Sequence, residues 1–309
     1  MSHRGEYSRD DVLRLLRDRT NWGRWGDDDQ KGTLNLITPQ KRVAAAALVR
    51  SGRTVSMSRE FPTAPGPTNP KPAQHFMTTK TRGSGGSAHD YYGIEYHGLV
   101  STHIDSLAHV WDENGMWQGR DPHEELTFSG SNWGGVQHWN QGILTRGVLL
   151  DVPGHRGEPY VEHERPVHGS ELEDIARSQG VAIEPGDALV VYSGRDRWDE
   201  SHPVWGSEYT AAGEPRRPGL HASCLEFLCD HDCAALAWDM QDHMPNPWGV
   251  PWTIHGAIFS YGLALVDHCE LAPLVDACKE EGRWEFLFIL SPLVVSGGTG
   301  SPANPLALF

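Results

Sequence analysis

Four short apolar segments, separated by stretches with a helical pattern, constrain the fold of this 309-residue chain more than any other feature. The apolar segments span 147–152, 187–193, 233–239 and 263–266. Between them, Ser170 and Glu173 predict a capped helix that ends at Gly180, and residues 222–231 also have a helical pattern. Strands that alternate with helices are typical of an α/β protein whose sheet contains some parallel pairs. We therefore predict an α/β fold.

The two ends of the chain predict further elements around this alternation. Ser8 is placed to cap a helix through about Arg19, and Thr38 to cap a second helix with Gly52 as its C-cap. Residues 54–58 and 285–290 are typical of strands, and residues 296–302 of a loop.

The stretch 62–88 is rich in Pro, Gly, Thr and Ser, and we predict that it forms one long loop. No linker divides the chain and no repeat is evident. We expect a single domain over residues 1–309, with residues 1–60 as an N-terminal helical arm and loop.

Composition excludes several classes of function. The formal net charge is −15 and no cluster of Lys and Arg is present, which disfavours a nucleic-acid partner. No apolar run approaches the roughly 18 residues of a membrane span, and the N-terminus is polar, so we expect no membrane association and a cytoplasmic location. The five cysteines include no CxxC pair, which favours buried, reduced thiols.

The stretch 97–109 concentrates the side chains suited to chemistry. If it is extended, His97, Leu99, Ser101, His103 and Asp105 project to the same side, because alternate residues of a strand share a face. Imidazole and carboxylate groups that meet at one point suit either a borderline metal ion or a general acid–base pair.

Thr102-His103-Ile104-Asp105 followed after three residues by His109 resembles the signature His-x-Gly-Thr-His-x-Asp-x-x-x-His of the cyclase-like amidohydrolases, which include kynurenine formamidase, isatin hydrolase and a trans-dienelactone hydrolase. Other parts of the chain also resemble motifs of this family: residues 187–195, 236–239, 286–305, and His255 together with Asp267. Residues 25–35 resemble a motif of a longer subfamily, whose members have about 300 residues. The resemblance implies a swivelling β/β/α fold, a homodimer or homotetramer, and one zinc or manganese ion that serves the hydrolysis of an amide or a lactone.

Carried over position by position, the resemblance implies that His103, Asp105, His255 and Asp267 are metal ligands. It also implies that His109 is the acid–base residue, so that His103, Asp105 and His109 together form the catalytic cluster. Two positions depart from the pattern. Leu99 stands where the family has its first ligand histidine, and Asp267 stands where it has a longer glutamate.

These departures leave alternatives open. His97 has the same strand parity as His103 and is the candidate replacement for the lost ligand. If no metal binds, the His/Asp cluster remains suited to a metal-free cyclase or lyase, and a non-catalytic ligand-binding relative is a further alternative. We predict a small-molecule substrate, for which an aromatic ring is one candidate. The candidate contact residues are the aromatic Trp25, Phe76, Tyr96 and Trp111, with Trp22 and Trp117 nearby.

Overall fold

The computed structural model describes residues 7–309, and residues 1–6 lie outside the described part. Its helices are α1 (Arg9–Arg17), α2 (Pro39–Ala46), α3 (Pro122–Glu125), α4 (Val152–Arg156), α5 (Gly169–Gln179), α6 (Arg195–Ser201), α7 (Cys224–Asp230), α8 (Ala257–Tyr261) and α9 (Ala272–Glu281). Its strands are β1 (Thr54–Ser56), β2 (Gln74–Arg82), β3 (Gly85–Gly93), β4 (His103–Asp105), β5 (Leu126–Thr127), β6 (Gly130–Ser131), β7 (Ile143–Asp151), β8 (Ala188–Tyr192), β9 (Ala235–Trp238), β10 (Ala264–Asp267), β11 (Glu285–Leu290), β12 (Gly300–Pro302) and β13 (Leu306–Leu308).

A nine-stranded sheet in the order β1-β13-β11-β7-β8-β9-β10-β4-β12 organises the chain. Its centre is parallel, because β7, β8, β9 and β10 pair in that order with the same direction. Every residue of β8, β9 and β10 is buried, as expected for parallel strands with both faces covered. The predicted α/β fold is confirmed, and the predicted central strands are those of the parallel region.

The edge of the sheet that carries β4 positions the candidate site. β10 pairs antiparallel with β4, so that Asp267 lies opposite His103 and Leu265 opposite Asp105. β12 pairs with the other side of β4 and places Gly300 opposite Asp105. We expected a loop over 296–302, and its last three residues instead form this strand.

The N-terminal helix α1 forms as the capping pattern predicts. Ser8 and Asp11 make a reciprocal capping box. The apolar face of α1 is buried, and the last turn is tied to α8 because the hydroxyls of Ser260 and Tyr261 donate to the carbonyls of Leu16 and Leu15.

Helix α2 ends at Ala46, so the predicted extension to Gly52 is wrong. The backbone leaves the helix in order to join the sheet: Gly52 N–H donates to the carbonyl of Phe309 at 2.7 Å, immediately before β1 pairs with β13.

The prediction of a continuous loop over 62–88 is also wrong. β2 and β3 pair antiparallel over nine residues each, from Gln74 opposite Gly93 to Arg82 opposite Gly85. We call these two strands and their turn the outer hairpin. Every residue of the outer hairpin from 74 to 92 is exposed to solvent, so neither face needed the apolar alternation that marks a strand in a sequence.

Within residues 7–309, no helix has the length and hydropathy needed to span a bilayer. All five cysteines are free thiols, four of them buried and Cys229 half-buried, as the absence of a CxxC pair suggested.

Candidate metal centre

Strand β4 places two candidate ligands on one face. His103 and Asp105 alternate along the strand and both are buried. His103 Nδ1 donates a hydrogen bond to the carbonyl of Ser101 at 2.8 Å. This bond leaves the lone pair of His103 Nε2 free toward Asp105 Oδ1, 3.4 Å away.

His97 reaches the same carboxylate from a loop rather than from the strand. The stretch 94–102 is irregular, so the condition that the chain is extended from His97 to Asp105 is not met. Even so, His97 Nδ1 lies 2.8 Å from Asp105 Oδ1, and its Nε2 forms a hydrogen bond with the hydroxyl of Thr299 at 2.8 Å. The loop thus brings a second imidazole to Asp105, although Leu99 occupies the position where the resemblance expected one.

His255 approaches Asp105 from the short helical turn that precedes α8. Its Nε2 lies 3.9 Å from Asp105 Oδ2, and its Nδ1 donates to the carboxylate of Asp242. The other oxygen of Asp242 accepts from the Thr253 hydroxyl and from the backbone N–H of Ile254. Asp242 therefore fixes both the orientation and the tautomer of His255, as carboxylates commonly do for metal-binding histidines.

Asp267 ends β10 opposite His103 and faces the same point. Its Oδ2 lies 3.4 Å from His255 Nε2 and 3.9 Å from His103 Nε2. The indole N–H of Trp238 donates to Oδ1, and the side-chain amide of Gln241 donates to Oδ2. The shorter aspartate reaches the cluster because β10 and β4 are adjacent in the sheet.

His109 completes the group at the solvent side. Its Nε2 is 3.8 Å from Asp105 Oδ2, and its ring stacks on that of His97 with centroids 3.8 Å apart. Unlike the buried His103 and His255, the side chain of His109 is 21% exposed, so it borders the opening of the site.

Electrostatics hold the two carboxylates ionised. Burial favours the neutral acid, but the imidazoles of His109 and His103 outweigh it and lower the pKa of Asp105 well below its usual value. Burial also opposes ionisation of Asp267, yet His255 lowers the pKa of that carboxyl. The cluster therefore keeps two negative charges in a buried position.

The pKa values of the imidazoles shift in two directions, because burial and the nearby carboxylates act in opposite senses. Burial lowers the pKa of His103 and His255, but nearby carboxylates outweigh burial, and the net pKa of both is raised. For His109, burial dominates and the neighbouring His97 and His255 add to it, so that its pKa falls to about 4. At neutral pH the His109 imidazole is uncharged and able to accept a proton.

The cluster fits a divalent cation. Neither oxygen of the fully buried Asp105 accepts a well-aligned hydrogen bond from any described residue, an arrangement that is costly unless a cation satisfies the carboxylate. Two sets of three ligand atoms lie within 4.8 Å of one another: His97, Asp105 and His109, and His103, Asp105 and Asp267. Mixed imidazole and carboxylate donors suit zinc and manganese alike.

The loop that carries His97 is anchored by a buried arginine. Arg195 donates to the carbonyl of Leu99 at 2.7 Å and to His268 Nδ1 at 2.6 Å. The guanidinium is fully buried, 4.8 Å from the centre of the Trp205 ring, and burial lowers its pKa to about 9. Leu99 therefore contributes its main chain to the position of His97.

A cavity of about 260 Å³ opens beside the cluster. Its walls contain apolar side chains, among them Leu99, Met244 and Trp252, and polar side chains, among them Arg217 and Asn246. The Trp252 ring lies 5.5 Å from the ring of His255. A cavity with an apolar wall and few polar groups is typical of a small-molecule site.

The predicted aromatic contacts are mostly placed elsewhere. Tyr96 lies beside the cluster, with its ring 4.4 Å from that of His97. None of the four predicted contact residues, Tyr96 included, lines this cavity. Phe76 is exposed on the outer hairpin, Trp111 is 39% exposed, and Trp25 packs 6.4 Å from Trp117. Trp117 is fully buried in the core, and Trp22 donates to the carbonyl of Phe259.

Three residues that sequence reasoning did not single out also surround the cluster: Asp242, Gln241 and Trp252. Gln241 and Asp242 follow β9 in an irregular segment, where no periodic pattern marks them. Asp239, the last residue of the segment 236–239 that resembles the family, accepts backbone N–H groups from Ser193, Gly194 and Arg195 and so joins the ends of β8 and β9.

Solved structures share this fold over nearly the whole chain. A structure described as a novel cyclase is 28% identical, with a TM-score of 0.83 over 95% of this chain and 99% of that one. An isatin hydrolase bound to the product analogue thioisatinate is 14% identical, with a TM-score of 0.59 over 88% and 99%. A "predicted metal-dependent hydrolase" from Bacillus stearothermophilus is 18% identical, with a TM-score of 0.50 over 82% and 97%.

The fold is that of the structure described as a novel cyclase, and it carries a buried His/Asp cluster that could hold a metal ion. The model of the Cyclase family matches residues 53–243, and the chain belongs to that family. No curated protein matches the chain.

Proposed function

We propose that this chain is a divalent-metal-dependent hydrolase that opens a cyclic or aryl amide, or a lactone. The observation that carries the proposal is the buried carboxylate of Asp105, which has imidazole nitrogens of four histidines within 3.9 Å and a cavity beside it. The likeness in fold to an isatin hydrolase and to a protein described as a metal-dependent hydrolase supports the same class of reaction.

Four residues would hold the ion in this proposal: His103, Asp105, His255 and Asp267. His97 would be the additional ligand, because its Nδ1 lies closer to a carboxylate oxygen of Asp105 than the nearest nitrogen of His103, His109 or His255 does. When bound, zinc or manganese would supply Lewis acidity, which polarises a substrate carbonyl and lowers the pKa of water toward neutrality.

His109 is the proposed general base and acid. Its low pKa keeps the imidazole neutral, so it can take a proton from water as the carbonyl is attacked. It then returns that proton to the departing nitrogen or oxygen of the opened ring. Asp105, 3.8 Å from His109 Nε2, stabilises the imidazolium while it holds the proton.

The cavity indicates the size of the substrate. A volume of about 260 Å³ lies just below the usual range for ligand pockets, which favours a compact ring over a peptide or polymer. Trp252 offers an apolar wall for a flat ring, and Arg217 and Asn246 offer hydrogen-bond donors for its polar groups.

Metal content measured by plasma mass spectrometry tests the proposal. We expect close to one zinc or manganese ion per chain in protein purified without chelator, and loss of that ion in His103→Ala. His123→Ala, at an exposed histidine of α3, is the matched control and should keep the metal.

Two outcomes would favour the other functions considered. Protein that binds neither ion and still turns over a substrate after exhaustive chelation would be a metal-free cyclase or lyase. Protein that binds an aromatic ligand saturably, but turns over no ester, lactone or amide, would be a non-catalytic relative. Either result would overturn the proposed hydrolase.

The variant Asp242→Asn is expected to weaken metal binding by about 10- to 100-fold. Asparagine keeps one oxygen for Thr253 and Ile254 but loses the charged oxygen that accepts from His255 Nδ1. Competition with a chromophoric chelator measures the affinity.

Thr253→Val serves as the control for this measurement, because it removes a hydrogen bond to Asp242 but leaves the carboxylate on His255. It should change the affinity for the metal little. Equal affinity for Asp242→Asn and the unmodified protein would show that Asp242 does not support a ligand.

A cytoplasmic location, and the absence of nucleic-acid and membrane partners, stay predictions from the sequence.

A further inference from the structure

Arg217 is a half-buried cation on the wall of the cavity beside the metal centre. Among residues 7–309, no carboxylate pairs with its guanidinium and no oxygen accepts from it, and its Nε is buried without a partner. A guanidinium carries five N–H donors and keeps its charge at neutral pH. Such a group is costly in a half-buried position unless an acceptor meets it, and the cavity is where that acceptor can bind.

Arginines elsewhere in the chain show that the fold normally supplies such acceptors. Three with largely buried side chains are satisfied: Arg146 pairs with Asp187, Arg156 with Glu171, and Arg195 donates to the carbonyl of Leu99. The packing of the protein therefore does not account for the charge of Arg217 as it accounts for these three.

The structure holds Arg217 in place without a ligand. Its backbone exchanges two hydrogen bonds with that of Met244, at 2.9 and 3.0 Å. The guanidinium lies 5.7 Å from the centre of the Trp205 ring, whose indole N–H donates to the carbonyl of Pro218. Gly206 has a φ of +87°, and a Cβ there would lie 3.8 Å from Arg217 Nε. A donor that is fixed before binding loses less entropy when a ligand arrives.

Arg217 does not serve simply to neutralise the carboxylates of the metal centre. Asp242 and Asp267 line the same cavity and oppose the fall in the pKa of Arg217 that burial causes, but neither makes an ion pair with it. Both carboxylates already accept hydrogen bonds, Asp242 from His255 and Asp267 from Gln241. Space for a ligand group therefore remains between the guanidinium and the cluster.

The chemistry of the cavity favours a carboxylate as that group. A planar carboxylate can accept two parallel N–H bonds from a guanidinium, whereas a neutral carbonyl would leave the charge without a counterion. A phosphate would bring a second negative charge close to Asp242 and Asp267. The apolar wall of Leu99 and Trp252, in a cavity of about 260 Å³, suits one ring that bears this carboxylate.

We propose that the substrate is a ring that carries its own carboxylate, and that Arg217 binds this carboxylate while the amide or lactone carbonyl faces the His/Asp cluster. The assignment of the ring as a substrate rests on the proposed hydrolase function. The binding of an aromatic carboxylate by Arg217 does not, and it can be measured by itself.

Isothermal titration of the protein as purified, with benzoate and benzamide as probes, tests the proposal. The two probes share a ring and differ in charge, and we expect benzoate to bind at least about 10-fold more tightly. Arg217→Gln should weaken benzoate binding by about 10- to 100-fold and change benzamide binding little, because only benzoate uses the charge. Arg217→Lys retains the charge and the stem beside Trp205, and should weaken benzoate binding less than Arg217→Gln does.

Arg216→Gln is the matched control, since it removes a neighbouring charge that pairs with Glu164 at 2.6 Å. It should leave the binding of both probes unchanged. Benzoate that binds Arg217→Gln as tightly as the unmodified protein would overturn the proposal, because its carboxylate would then be held by the metal or by another group. Benzamide or phenyl phosphate that binds as tightly as benzoate would overturn it too.

Metal content of the same samples separates this inference from the proposed hydrolase. Protein without metal that loses benzoate in Arg217→Gln would keep the carboxylate site and overturn only the hydrolase. Protein with close to one metal ion per chain, and with equal benzoate affinity in Arg217→Gln, would keep the hydrolase and overturn only the carboxylate site.

Discussion

Replacing Asp105 with asparagine is expected to lower the affinity for zinc or manganese by about 1000-fold and to abolish hydrolysis. Asp105 is fully buried and lies within 3.9 Å of nitrogens from His97, His103, His109 and His255, so its charge acts on the whole cluster. Removal of one partner of a buried charge pair costs about 3–5 kcal/mol, and 4 kcal/mol corresponds to about 1000-fold in a dissociation constant. Isothermal titration with each ion measures the change.

Asp187→Asn is the control that separates this effect from a general loss of buried charge. Asp187 is also fully buried, and it pairs with Lys41 and Arg146 at 2.6 Å each, away from the cluster. Its replacement should lower the melting temperature but leave the metal affinity unchanged. An Asp105→Asn protein that binds metal as tightly as the unmodified chain would show that the carboxylate is not a ligand.

The sequence predicted the part of the site that local geometry determines. His103 and Asp105 are two residues apart, and a strand places such residues on one face. His255 and Asp267 belong to other elements, and only the family resemblance connected them with β4. The structure shows the physical connection, which is the antiparallel pairing that sets Asp267 opposite His103.

The approach of His97 could not be derived from strand parity. That argument assumed an extended stretch from 97 to 105, whereas residues 94–102 are irregular. His97 is held by long-range contacts instead: Thr299 bonds its ring, and Arg195 holds the carbonyl of Leu99. Contacts between residues about 100 or 200 positions apart leave no local pattern in a sequence.

The central strands could be predicted from the sequence, whereas the outer hairpin could not. The buried strands β8 and β9 are continuous apolar runs, which a sequence reveals directly. The outer hairpin is exposed on both faces and contains four glycines, three between residues 83 and 86 and one at residue 93, so composition favoured a loop. Its pairing depends on the backbone and on cross-strand contacts such as Phe76 with Tyr91.

The variant His109→Gln is expected to lower kcat by about 100- to 10,000-fold while the affinity for the metal changes little. Glutamine cannot accept and return a proton, but it preserves much of the volume beside His97. The proposed ligands His103, Asp105, His255 and Asp267 should remain in place, because none of them depends on His109 for its own hydrogen bonds. Turnover is measured on a panel of cyclic and aryl amides and lactones, and metal affinity by titration of the same samples.

His97→Gln provides the matched comparison, since the two rings stack against each other and both nitrogens face Asp105. If His97 is a ligand and His109 the proton carrier, His97→Gln should weaken metal binding and His109→Gln should spare it. The reverse result would exchange the two roles, because the free proton carrier must be the histidine whose loss leaves the metal bound. Unchanged turnover in His109→Gln would show that His109 takes no part in the reaction. The proton would then have to pass through another group that borders the cavity.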